Sequence, residues 1–278
     1  MENWKTCNIM TNYNPMSKEF QEEAKKRGIT GFQYMQLLRQ KRNKVSAISY
    51  QIYHKSPGYI KSMLIAKHQG KNLEDVINGE VIYTEKGECY HIESQEIIDS
   101  INIENKSLIF DIETMGFRSV PIILIGIARI HDNNILIDQY LSRNFKEEPA
   151  ILTAFTNLLR ENDTIITFNG ARFDIPFIED RLSYHKIEET VYDKIHHDAL
   201  PLSRRAWKTK LPNCKLGTLE KYILNIERED DIPSRSVPNF YNTYIRYKNV
   251  GPLVSIVNHN KQDLITLAKI FSRLRESR

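Results

Sequence analysis

Cysteine is scarce in this chain, and its scarcity excludes whole classes of protein. Cys7, Cys89 and Cys214 are the three cysteines in 278 residues. A set that is odd in number and widely scattered provides neither a disulfide framework nor a CxxC zinc site. Long apolar runs are missing too: IILIGIA, at 122–128, reaches about a third of the roughly 20 residues a membrane span needs. The opening MENWKTCNIM has no basic stretch leading into an apolar one, so no signal peptide is read and a cytoplasmic location is expected, with no membrane partner. Neither a P-loop nor GxGxxG occurs, which leaves nucleotide hydrolysis and dinucleotide binding without support. There is no internal repeat.

Hydrophobic residues make up 41% of the chain, enough for a sizeable core, and the length allows one domain with an extension or two small ones. The net charge of +4 conceals an asymmetry. Residues 1–72 carry 13 Lys/Arg against 4 Asp/Glu, a net of +9, whereas the remainder carries 26 against 31, a net of −5. A basic arm on an acidic domain points to phosphate attraction at one end and a carboxylate site at the other. A solvated helical face would also account for the arm.

Three regions follow from the patterning. In residues 1–72, Phe32, Met35, Leu37 and Leu38 recur at helical spacing within Ser17–Lys44, with breaks at Gly28 and Gly31, and 56–69 reads as a further short helix. Residues 73–105 hold a β-hairpin, Gly79–Tyr83 and Glu88–Ile92, followed by a linker. Residues 106–278 alternate strands and helices as an α/β mixed sheet would. Leu108–Ile112 is a central strand, Ile122–Ile130 and Ile135–Tyr140 form a hairpin, and Thr164–Phe168 is a fourth strand. Helices are expected over Pro149–Arg160, Phe173–Tyr184 and Pro252–Arg275.

Asp111 and Glu113 sit in LIFDIET, and because strand side chains alternate they share one face of the sheet. Spacing alone means little in a chain with 35 acidic residues. Location means more: two carboxylates on the most apolar strand repel each other and resist desolvation unless a cation lies between them. A divalent metal supplies that cation; a solvated strand end is the plainer account. Asp174 begins a helix, where a carboxylate either caps free N–H groups or binds a metal. Asp263 lies four residues beyond His259 on one helix face, a structural pair or a ligand beside a general base. Taken together, four such carboxylates suit hard cations. Two Mg²⁺ or Mn²⁺ ions about 4 Å apart can clamp the attacking water and the leaving oxygen of a phosphodiester.

The stretches DIETMG (111–116), FNGARFDIPFI (168–178) and HNKQD (259–263) resemble the three motifs of DEDD exonucleases in the RNase H-like superfamily. DALPLSRRAWKTKLPNCKLGTLE (198–220) is similar to the YprB-type branch, and the likeness covers roughly 73–275. It implies an RNase H-like, five-stranded mixed sheet flanked by helices, and metal-dependent 3′-to-5′ hydrolysis of DNA or RNA, acting on single-stranded ends. Carried over, Asp111, Glu113, Asp174 and Asp263 would hold two divalent cations and His259 would be the base. Three residues separate His259 from Asp263, where histidine-type members usually have four. Thr114 and Met115 would lie beside the substrate, and Met115 stands where many relatives have a second Thr.

Arg204 and Arg205 beside Trp207 suit a single strand through phosphate contacts and stacking, and equally suit a solvated basic helix. Asn169 and Phe173 can touch substrate or serve a turn and the core. His196, His197 and Asp198 read as a strand end and a helix cap rather than a metal cluster. Two other functional classes stay open: a nucleic-acid-binding module without turnover, and a structure-specific endonuclease.

Overall fold

A computed structural model of the protein describes residues 56–98, 101–131, 134–228 and 231–276, together with Glu22, Lys25 and Lys26. The helices expected within Ser17–Lys44 lie almost entirely outside these residues. The chain divides into two compact units, Met1–Ile60 and Lys61–Arg278. No helix among the described residues is long and apolar enough to cross a membrane.

The elements run α1 (Pro57–Lys67), β1 (Glu80–Thr84), β2 (Gly87–Ile97), β3 (Ser107–Thr114), β4 (Ile122–His131), β5 (Asn134–Leu141), α2 (Glu148–Arg160), β6 (Thr164–Thr167), α3 (Asp174–Tyr184), β7 (Ile195–Asp198), α4 (Ala199–Trp207), α5 (Leu216–Ile223), α6 (Val237–Tyr247) and α7 (Gly251–Glu276). The described strands form one mixed sheet in the order β1-β2-β5-β4-β3-β6-β7. β3 pairs antiparallel with β4 and parallel with β6, as does β6 with β7.

Among the described residues the sheet has seven strands: the expected five, β3 to β7, joined at one edge by the two strands of the expected hairpin. The join is made by β2, which runs to Ile97 and pairs with β5 from Tyr90↔Leu141 to Ile97↔Asn134. The hairpin therefore extends the sheet instead of standing apart from it. The helix expected at 56–69 is α1, and within the larger unit its Lys61 Nζ donates to Asn239 at 2.6 Å while Asn249 Nδ2 donates to its Ile65 carbonyl at 2.9 Å.

β3 shows how alternation builds two cores. Leu108, Phe110 and Ile112 point to one side, among side chains of α2 and α3, and Phe110 meets Phe155 edge-on at 5.2 Å. Ile109 points to the other side, among Leu264, Leu267 and Phe271 of α7. Asp111 and Glu113 share that second face with Ile109 and so look toward α7. Burial of apolar surface drives this packing, at roughly 25 cal/mol per Å². A buried ion pair fastens α2 to α3: Arg181 donates to both oxygens of Glu148 at 2.7 and 2.6 Å, and Glu148 also accepts from the Ile122 amide at 2.8 Å.

Candidate active site

The ladder between β3 and β4 slips at Glu113/Thr114, a bulge at the end of the central strand. There Asp111, Glu113, Asp174 and Asp263 line one cavity of about 260 Å³, with Phe117, Phe168 and Phe173 on its walls. Each carboxylate arrives from a different part of the fold: two from β3, one from the first residue of α3, and one from midway along α7. A second cavity of about 520 Å³ adjoins it, sharing Asp263 and Ser234 and adding Arg228, Asp231 and His259.

Electrostatics in the first cavity are adverse to bare carboxylates. Burial, followed by the charges of Asp263, Asp174 and Glu113, pushes Asp111 well above the ordinary Asp value. Glu113 is raised by burial and by Asp263 and Asp174. Burial also lifts Asp174, to about 7, with backbone hydrogen bonds at Asp174 and Ile112 pulling the other way. Asp263 is raised by burial despite His259 and Arg228 nearby. Converging hard oxygen donors whose negative charge is disfavoured by burial and by one another fit one or two divalent cations.

The polar partners of these groups are specific. Asn260 Nδ2 donates to Asp111 Oδ2 at 2.9 Å, while its Oδ1 accepts from Gln139 at 2.8 Å. Asp111, Gly126 and Gln139 lie side by side across β3, β4 and β5, and a Cβ on Gly126 would stand 1.9 Å from Asn260 Oδ1. Arg228 donates to Asp263 Oδ1 and to Glu220 Oε2, each at 2.5 Å, and to Asp231 at 3.1 Å. His259 is buried; its Nδ1 lies 2.7 Å from Asp231 Oδ1 and its Nε2 3.2 Å from Ser234 Oγ. Burial lowers the His259 pKa, but the Asp231 hydrogen bond and the charges of Asp263, Asp231 and Asp111 outweigh it, and the net shift is upward.

Of the other residues singled out in the sequence, Asn169 and Phe173 line the cavity. Asn169 adopts a left-handed turn, φ 66°, and its amide donates to Asp198 at 2.8 Å. Phe173 packs on Phe177 at 5.5 Å as well. Thr114 lines the cavity, but its hydroxyl is committed to the Gly116 carbonyl at 2.6 Å. Met115 is not among the lining residues; its amide closes the loop onto the Pro121 carbonyl at 3.0 Å. Arg204, Arg205 and Trp207 are absent from both cavity walls. The two arginines are exposed on α4, and Trp207 packs against the core beneath α7. Asp198 caps α4 through the Leu200 amide at 3.0 Å, as expected.

Ligand-type atoms of His91, Glu93 and Asp138, on β2 and β5, lie within 4.8 Å of one another. Asp138 is already satisfied there, by His91 at 3.0 Å and Arg129 at 2.7 Å, so the group is an ion-pair cluster. Arg228, Asp231, Ser234 and the Asn260–Gln139 pair are the side chains around the candidate site that sequence reasoning missed. Asn260 lay in plain view within HNKQD, whereas Arg228 and Asp231 sit in a charged loop whose composition resembles solvated surface.

The chain belongs to the RNase_H superfamily, whose family model matches residues 108–275, from β3 almost to the end of α7. The mixed sheet expected of that superfamily is the one observed. The chain is also similar to the Uncharacterized protein YprB of Bacillus subtilis (strain 168), at 30% identity over 177 residues, which is 60% of this chain and 41% of that protein. It therefore spans less than half the length of this curated relative. Among solved structures, the family B DNA polymerase from the hyperthermophilic archaeon Pyrobaculum calidifontis is similar at a TM-score of 0.47 and 14% identity, over 75% of this chain and 30% of that one. Family and acidic cavity together support nuclease-type chemistry.

Proposed function

We propose that the protein is a 3′-to-5′ exonuclease of the DEDD type, hydrolysing phosphodiester bonds at single-stranded ends of DNA or RNA with two divalent cations, Mg²⁺ or Mn²⁺. One observation carries the reading: four carboxylates from β3, α3 and α7 line a single cavity, with His259 at its border. Bound there, the ions would polarise the phosphoryl group and neutralise charge developing on the attacking and leaving oxygens. Asp111, Glu113, Asp174 and Asp263 would hold them. Asn260 orients Asp111, and Arg228 orients Asp263 by one oxygen, leaving the other toward His259. Phe117, Phe168 and Phe173 offer apolar surface on which a terminal base can rest. His259 is suited to take a proton from water near neutral pH.

The experiment is incubation of 3′-labelled single-stranded DNA and RNA with Mg²⁺ or Mn²⁺, beside Asp111→Ala. Release of single nucleotides by the wild type alone is expected. Discrete internal fragments would identify an endonuclease instead. Binding that survives a chelator, with no cleavage in any metal, would identify a non-catalytic binding module.

A further inference from the structure

Asp231 lies outside the three acidic motifs, on the segment joining α5 to α6, yet its Oδ1 stands 2.7 Å from Nδ1 of the buried His259. We infer that Asp231 is the positioning residue of His259: it accepts the Nδ1 proton and thereby fixes the imidazole with its Nε2 lone pair toward the acidic cavity. This deepens the hydrolytic reading of the site and rests on it.

Donor and acceptor chemistry assigns the tautomer. An ionised carboxylate can only accept, so Nδ1 must carry the hydrogen and Nε2 of the neutral ring is the basic atom. Around Nε2 stand Ser234 Oγ at 3.2 Å, Asp263 Oδ2 at 3.7 Å and Glu113 Oε1 at 3.9 Å. The Ser234 hydroxyl can donate to that lone pair, and the two carboxylates mark the direction of the cavity.

Asp231 is itself held in place. Arg228 Nη1 donates to it at 3.1 Å, while the rest of the guanidinium grips Glu220 on α5 and Asp263 on α7. Burial works against the Asp231 charge, but the His259 hydrogen bond and the charges of His259 and Arg228 outweigh it, and its pKa falls below the ordinary Asp value. The pairing is thus tied to two helices rather than resting on one exposed contact. At i and i+4 on α7, His259 and Asp263 share a helix face, and Asp231 approaches from a third element to turn the ring.

During hydrolysis, Nε2 would take a proton from the attacking water as the water oxygen bonds to phosphorus. The bond from phosphorus to the leaving oxygen breaks, that oxygen takes a proton from solvent, and the imidazolium returns its proton to solvent. Asp231 touches none of the reacting atoms and remains a carboxylate throughout.

Asp231→Asn keeps the shape and removes the charge. It should lower kcat about a hundredfold, the scale of a general-base contribution, with KM and Mn²⁺ affinity unchanged. Asp231→Glu should recover part of the loss. Asp231→Asn combined with His259→Ala should be no slower than His259→Ala alone. Losses that simply add, or a parallel fall in Mn²⁺ affinity, would overturn the inference. Nitrogen-15 NMR of the imidazole, at a pH where the ring is neutral, tests it without turnover. A hydrogen on Nδ1 that Asp231→Asn displaces supports it, and a wild-type ring protonated on Nε2 overturns it. Wild-type protein that cleaves nothing would sink the hydrolytic reading, while the tautomer would still decide whether Asp231 sets the ring.

Discussion

Asn260 reaches Asp111 across 2.9 Å because Gly126, the cross-strand neighbour of Asp111, has no side chain in the way. The contact links α7 to the central strand at the point where the chemistry is proposed. Asn260→Ala should therefore weaken Mn²⁺ binding and cleavage about 10- to 100-fold, as loss of a ligand's orienting partner does. Gly126→Ala would press on the buried Asn260 and Leu264, and should cost about 1–3 kcal/mol. Titration calorimetry with Mn²⁺ and chemical denaturation measure the two effects.

A dependence on pH follows from Asp174, lifted to about 7 by burial. Between about pH 4, the ordinary aspartate value, and pH 7, the folded chain retains a proton that the unfolded chain has released. Stability without divalent ions should fall as pH rises through that window. Asp174→Asn should flatten the fall and raise the melting temperature at neutral pH. Mn²⁺ should stabilise the wild type much more than the variant. Thermal melts with and without Mn²⁺ across the window check both statements.

The Glu148–Arg181 pair predicts the opposite combination of effects. Both side chains are buried, and removing Arg181 leaves the Glu148 carboxylate with only His185 and the Ile122 amide among the described residues, each at 2.8 Å. Arg181→Ala should cost about 3–5 kcal/mol in stability. Cleavage per folded molecule should fall far less, because neither Glu148 nor Arg181 lines the acidic cavity and Arg181 lies seven residues along α3 from Asp174. Denaturant unfolding beside a cleavage assay separates the two.

Residues 1–55 hold 10 Lys/Arg against 4 Asp/Glu. Deleting them should weaken binding to single-stranded nucleic acid and flatten its salt dependence, since fewer counterions are released. Mn²⁺ binding should be retained. The cut belongs before α1, because Lys61 and Ile65 bond to Asn239 and Asn249. An unchanged slope of log affinity against log salt would make the arm merely a solvated surface.

Much of the fold was legible because local patterns carried it. The apolar run at 108–112 could hardly be other than a central strand, and the α7 stripe from Leu253 to Leu274 marked a helix packed on it. The four carboxylates were legible for a related reason: charge on apolar elements needs a partner. What stayed hidden was non-local. Nothing in Glu93–Ile97 discloses a long antiparallel partner in β5, because half of that strand faces solvent and reads as polar. Likewise Arg228 and Asp231 acquire meaning only when folding brings them against Asp263 and His259, 35 and 28 residues away. Trp207 is ambiguous in the reverse sense: an aromatic among cations suits a stacking platform or a structural role, and its half-buried side chain packs against the core.

The hairpin ahead of the central strands also governs how this protein meets other chains. β2 covers β5 along its length and β1 pairs with β2 only over Gly87–His91, so among the described strands the borders of the sheet are β1, of five residues, β2 beyond His91, and β7, of four. Short borders offer few unpaired N–H and C=O groups to a neighbouring molecule, whereas a bare β5 would offer a long template for intermolecular strand addition. In place of that apolar template the hairpin presents Glu93–Ile97, whose two glutamates discourage strand addition.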